Sequence, residues 1–242
     1  MEARRFTLSE KPPVRAGHEA VRTYKQRRGR LTGSQAAALA RSWARLGVQI
    51  PFEEGQARAL DLPALFGRRA PVVVEIGSGM GEATAAMAAA DPARDVLAVD
   101  VHTPGLGNLI KLVEVAGLTN VRVVEGDALV LLRAMLAPGS VAEVRAFFPD
   151  PWPKARHAKR RLVTPAFADV VASRLISGGG VHIATDWEPY ADMVRLVLGD
   201  HPAFTLIPDG LPPRPAHRPV TRFERQALDA GRPVTDVLAI RT

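Results

Sequence analysis

From Pro71 onward the chain alternates short β-rich runs with helix-length segments, and no other feature restricts its folding as strongly. The runs VVVEI (72–76), VLAVDV (96–101), VRVVEG (121–126), EVRAFF (143–148) and GVHIAT (180–185) are bounded by Gly, Pro or Asp. Between them lie EATAAMAAA, GLGNLIKLVEVAG, ALVLLRAML and PAFADVVASRLI, each apolar at helical spacing. Strands that are apolar on both faces need helices on both sides of a parallel sheet. The expected fold is therefore α/β, a doubly wound and mostly parallel sheet. Further on, EPYADMVRLVLG reads as another helix, LIPDGLPPRPAHRPV as an irregular connection and VTDVLAIR as a last strand. A strand reached by so long a connection fits an antiparallel C-terminal addition to the sheet.

Residues 1–30 are basic, proline-bearing and poor in periodic apolar content, and read as a mobile basic N-terminal arm. TGSQAAALARSWARLG then reads as an amphipathic helix, capped by Thr32 or Ser34, ended at Gly47 and anchored by Trp43. This divides the chain into an arm with its helix (1–55) and a main domain (56–242). Lys and Arg number 32 against 25 Asp and Glu, a formal charge of +7. That excess favours a polyanionic partner, because neutralising phosphates releases counterions. Cysteine is absent, which excludes disulfides and cysteine metal sites. No apolar run approaches the roughly 20 residues of a membrane span. A cytoplasmic protein, monomer or homodimer, with no membrane partner and no metal, is the expectation.

The first strong strand runs into IGSGMGEAT, so Gly77, Gly79 and Gly81 form the strand-to-helix turn. Glycines there allow a tight turn and close approach of a ligand to free helix amides. A dinucleotide is disfavoured, since Glu82 stands where its fingerprint has a third glycine and would repel a pyrophosphate. Three acids occupy consecutive strand ends: Glu75, Asp100 and Asp127. Asp100 is placed for two ribose hydroxyls, Asp127 for an adenine amino group and Glu75 for a cationic ammonium. S-adenosylmethionine carries all of these groups and no phosphate.

The fourth run ends in FFPDPWPK, followed by ARHAKRR. Prolines on both sides of Asp150 and Trp152 stiffen a loop that presents an acceptor and an aromatic wall. A guanine N7 has a lone pair and no proton to lose, so methylating it needs in-line positioning rather than a general base. Asp150 can accept from the guanine N1 and N2 edge and stabilise the positive charge that develops. Trp152 reads equally as a stacking surface or as loop packing. The charge run Lys154 to Arg161 adjoins this pocket and is expected to hold phosphates. An amino-directed or small-molecule methyltransferase fits the Asp-Pro-Trp-Pro order and basic flank less well. A silent RNA-binding module would be expected to have lost part of the acidic set.

DPWPKARHAKRR resembles the hallmark of the bacterial tRNA (guanine-N7)-methyltransferase family, and TDWEPYA (185–191), TRFERQ (221–226) and VRTYKQRRGRLTGSQ are similar to other elements of it. The resemblance covers the chain from about residue 20 to its end. It implies a Rossmann-like methyltransferase sheet, S-adenosyl-L-methionine as donor and guanine in the tRNA variable loop as acceptor. By matching motif it also implies that Glu75, the turn glycines, Asp100, Asp127, Ala128 and Asp150 line the cofactor pocket, with Asp150 catalytic. Lys154, Asp186, Thr221, Arg222, Phe223 and Glu224 are implied to bind tRNA. Asp100 stands where the family more often has glutamate, and Arg222 where lysine is common. Independently of the family, Thr221 and Glu224 read as a capping box opening a helix.

Overall fold

The computed structural model describes residues 29–51, 54–208 and 217–242. Nearly all of the basic arm expected over 1–30, and the centre of the proline-rich connection, lie outside them. The elements are α1 (Gly33–Leu46), β1 (Gly47–Gln49), α2 (Leu62–Phe66), β2 (Val72–Ile76), α3 (Glu82–Ala90), β3 (Asp95–Asp100), α4 (Thr103–Val115) and β4 (Val121–Glu125). They continue as α5 (Ala128–Val130, prolonged by a π-turn), β5 (Val141–Phe147), α6 (Pro165–Arg174), β6 (Leu175–Thr185), α7 (Glu188–Gly199), β7 (Phe204–Ile207), α8 (Arg222–Asp229) and β8 (Thr235–Arg241).

All eight strands join one sheet in the order β1-β4-β3-β2-β5-β6-β8-β7. Strands β1 to β6 pair in parallel, while β8 runs antiparallel between β6 and β7. The doubly wound sheet with its antiparallel C-terminal strand is thus as expected from the apolar runs. Two strands were not expected. β1 is a three-residue edge strand paired to β4, and β7 begins before and ends inside the segment read as an irregular connection. Both are short edge elements whose strand state comes from pairing, which local pattern does not report.

Alternation along the strands supplies both faces. Val72 and Val74 pack into the core shared with Phe167, Val171, Tyr190 and Val194 of α6 and α7. Val73, between them, faces the other layer, with Leu39 of α1 and Leu106, Leu109 and Ile110 of α4. α1, grouped by sequence with the arm, therefore packs into the same core as β2 to β4. Thr32 caps it in a full capping box with Gln35. Trp43 lies against Gly47, where a Cβ would come within 2.2 Å of its indole, so the anchor also seals the turn into β1.

The second apolar layer covers β2, β3 and β4. On the same face of β5, β6 and β8 the sheet is charged: Glu143, Arg145, His182 and Asp236 point there. Arg145 donates to Glu143 at 2.5 Å and His182 shares a 2.6 Å hydrogen bond with Asp236. Arg218, 1% exposed, closes the set by donating to Glu224 of α8 at 2.6 Å and to Asp236 of β8 at 2.8 Å. A buried charge is tolerable only when so paired. This network ties α8 to the sheet.

Among the described residues, no helix is long and apolar enough to cross a membrane. Replacing Arg218 with Ala would leave Glu224 and Asp236 buried without their common partner. The expected cost is about 3–5 kcal/mol, read as a fall in unfolding free energy by urea titration and a melting point lower by roughly 10 °C.

Candidate active site

The strand order reverses beside β2: β3 and β4 lie on one side of it, β5 and β6 on the other. In open α/β sheets the crevice at the carboxyl ends there is where ligands bind. Parallel register makes those ends level, Ile76 pairing with Val99 and with Ala146, and Asp100 with Glu125. The glycine turn after β2 and the DPWP loop after β5 therefore face the same crevice.

The turn adopts a conformation open chiefly to glycine, with φ of 80° at Gly77 and 59° at Gly79. A Cβ at either position would point into open space, so the bare backbone borders a cradle a ligand can fill. From behind, Gly105 of α4 comes so close that a Cβ there would clash with the Gly79 carbonyl, and Asn108 donates to the Met80 carbonyl at 2.8 Å. Asp100 braces the turn as well, accepting from the Gly79 amide at 2.8 Å and the His102 amide at 2.9 Å. Each of its oxygens keeps a further lone pair for a ligand. Asp127 caps α5, accepting from Leu129 N–H at 2.8 Å, with Ala128 buried beside it.

Glu75 lies one residue inside the edge of the sheet and is 3% exposed. Its Oε1 accepts from the Thr84 hydroxyl at 2.9 Å, while Oε2 is buried with no hydrogen-bond partner. Burial pushes its carboxyl up to about 7, against the smaller opposing pull of the Thr84 hydroxyl and Arg145. An orphaned buried carboxylate oxygen under an open glycine cradle suits a cationic donor group.

Among the described residues, the two non-glycine positions with positive φ are Phe148 (53°) and Trp152 (44°), on either side of Asp150. Each costs about 1–3 kcal/mol, and strain of this kind collects at functional sites. Arg161 offsets it by binding the loop from below, donating to the Pro151 carbonyl at 3.0 Å and lying 5.1 Å over the Trp187 ring. Trp152 is buried, with the Arg160 guanidinium 4.8 Å over its ring and His157 at its edge. These contacts pack it within the loop and the basic run that follows. One member of the basic run expected to hold phosphates is engaged elsewhere: Arg161 is half-buried and occupied with the loop itself. Lys154, Arg156, Lys159 and Arg160 are exposed.

A cavity of about 150 Å³ brings Asp150 together with Phe148, Asp186, Phe223 and Arg232. Phe148 and Phe223 stack at 6.4 Å. Asp186 accepts from Arg232 Nε at 2.9 Å. Thr221 caps α8 by accepting from the Glu224 amide at 3.0 Å, which is the expected half of a capping box. The Glu224 carboxylate instead turns inward to Arg218, and with 4% exposure it braces α8. Arg222 is exposed at the start of α8.

The residues that sequence reasoning passed over are those acting through others. Thr84 holds Glu75, Gly105 and Asn108 shape the turn and Arg232 meets Asp186. Only Gly105 left a local signal, a Pro-Gly pair opening a helix directly after an acidic strand end.

A methyltransferase family model matches residues 69–237. A tRNA (guanine-N(7)-)-methyltransferase of Streptomyces coelicolor is 56% identical over 220 residues, covering 90% of this chain and 80% of the relative. That of Nitrosospira multiformis is 46% identical over 221 residues, covering 91% and 94%. Among solved structures, the antibiotic-resistance methyltransferase Kmr has the same fold, with a TM-score of 0.51 at 17% identity over 79% of this chain and 94% of that one. With this identity across nine-tenths of its length, and with the DPWP loop set at the sheet's ligand-binding edge, the chain belongs to the tRNA (guanine-N7)-methyltransferase family.

Proposed function

We propose that this chain transfers the methyl group of S-adenosylmethionine to N7 of a guanine in the variable loop of tRNA, in the cytoplasm. The observation that carries the reading is Asp150, held between two strained aromatic residues and lining one cavity with Phe148, Asp186 and Phe223.

The donor set fits S-adenosylmethionine. Asp100 takes the ribose hydroxyls with its remaining lone pairs, Asp127 and the Ala128 backbone take the adenine, and Glu75 meets the ammonium. The bare turn at Gly77 and Gly79 lets the backbone approach. When bound, the cofactor would supply an electrophilic methyl on a sulfonium, for which the guanine N7 lone pair is a sufficient nucleophile.

The chain's own contribution is positioning and electrostatics. Asp150 accepts from the guanine N1 and N2 donors and lies beside the ring that becomes cationic. The Phe148 and Phe223 pair supplies an apolar wall for the base. No side chain has a proton to remove, because N7 is the bare nucleophile. Lys154 and Arg222 stay exposed for phosphates, and Thr221 and Glu224 set the helix that carries Phe223.

Wild-type protein should transfer label from S-adenosylmethionine to unmodified tRNA, and Asp150→Ala should lower turnover at least about 100-fold, with cofactor affinity measured by calorimetry little changed. Comparable loss of both would make Asp150 a cofactor ligand instead. The Glu75 carboxyl, raised to about 7 in the free protein, must ionise to pair with an ammonium. Affinity for S-adenosylmethionine should therefore rise as pH climbs through about 7 and fall again once the cofactor's own amino group deprotonates near about 8, with proton release on binding below about 7. Glu75→Gln should bind more weakly and lose this pH dependence.

A further inference from the structure

Arg232 enters the substrate cavity on a fixed piece of backbone. Past the end of α8, Gly231 has a φ of 69° and donates to the Leu228 carbonyl at 2.9 Å, while the Arg232 amide donates to the Ala227 carbonyl at 2.9 Å. This is a Schellman turn, with Pro233 stiffening the exit. The arginine is thus delivered to Asp186, which it meets through Nε at 2.9 Å. Nε spends one of five guanidinium N–H groups, leaving four on the two terminal nitrogens.

The pair itself does little for stability. Arg232 is 50% and Asp186 27% exposed at the side chain, and exposed ion pairs contribute little. The cavity gives a stronger reason for its position. At about 150 Å³ it is far smaller than the roughly 300–1,000 Å³ of pockets that enclose whole small molecules. It has room for a base, with sugar and phosphate left at the rim where Arg232 is exposed. Two carboxylates, Asp150 and Asp186, suit the base's N–H donors, and one guanidinium suits an anion.

We infer that Arg232 is a further substrate-binding residue, gripping the backbone phosphate next to the guanosine whose base enters the cavity, with Asp186 orienting it. The inference rests on the proposed tRNA methylation. A phosphate is the target rather than the O6 and N7 edge that arginine often reads in guanine, because a donor on N7 would occupy the lone pair needed for attack. Asp186 works in the same direction: it holds Nε and leaves the terminal nitrogens for bidentate contact with phosphate oxygens.

The test is steady-state methyl transfer to an unmodified tRNA transcript at several salt concentrations, with Arg232→Gln and Arg232→Lys beside the wild type. Arg232→Gln should raise the KM for tRNA about tenfold, leave kcat and cofactor affinity within about twofold, and reduce the salt slope of tRNA binding by about one. Arg232→Lys should recover most of the affinity and the full slope. An unchanged KM and slope, or a fall in kcat alone, would overturn the inference. If the glutamine variant melts below the wild type, the slopes still decide: a slope lower by about one in Arg232→Gln and restored in Arg232→Lys supports the phosphate contact, whereas a structural role would leave both at the wild-type value. Failure of the wild type to methylate tRNA would instead sink the proposed function, so the two failures are separable.

Discussion

Parallel pairing of β2 with β3 and β5 is the constraint on which the rest of the structure depends. It brings the ends of successive strands level, so that chemistry spread over more than a hundred positions of sequence converges on one edge. The two sides of the crevice are then tuned differently. On the β2–β3 side a bare backbone turn is braced by Asp100, Gly105 and Asn108, and an acid is held beneath it in partial want of a partner. On the β5 side a strained loop is held by cation–π and backbone contacts from Arg161. On the proposed reading, one side receives a cation and its nucleoside and the other holds a flat base against a carboxylate.

The charged half of the sheet explains how a helix so late in the chain takes part. α8 is short and mostly polar, and its own apolar contact would anchor it poorly. Arg218 substitutes ionic pairing for a hydrophobic face, binding Glu224 and Asp236 at once while Asp236 also engages His182. Such a network rewards a single geometry, because any shift leaves a buried charge unmatched. Phe223 and Arg232, at the start of α8 and just beyond its end, inherit that precision. Thr221 and Glu224 therefore act on the cavity through the helix they hold.

Much of this was legible in the sequence for physical reasons. The apolar runs announce a sheet buried on both faces, and the glycine turn with its acids announces a ligand edge. Asp150 between two prolines announces a stiffened loop. What was not legible depended on pairing across long sequence distances. β1 and β7 are strands only because β4 and β8 offer edges to them. Arg161 looks like one more charge in a basic run, and nothing nearby in sequence says that it turns inward to the Pro151 carbonyl. Glu224 fits a capping box by spacing, yet its carboxylate goes to Arg218, a partner six residues upstream that no helix-start pattern includes.

The central claim is that the acceptor is a bare ring nitrogen, positioned rather than deprotonated. The most direct measurement compares methyl transfer by the wild-type protein to two otherwise identical unmodified tRNAs, one with guanine and one with 7-deazaguanine at the variable-loop acceptor. Transfer to the first, mapped to N7, with none to the second, is the expected result. Equal transfer to both would place the methyl on another atom and contradict the account.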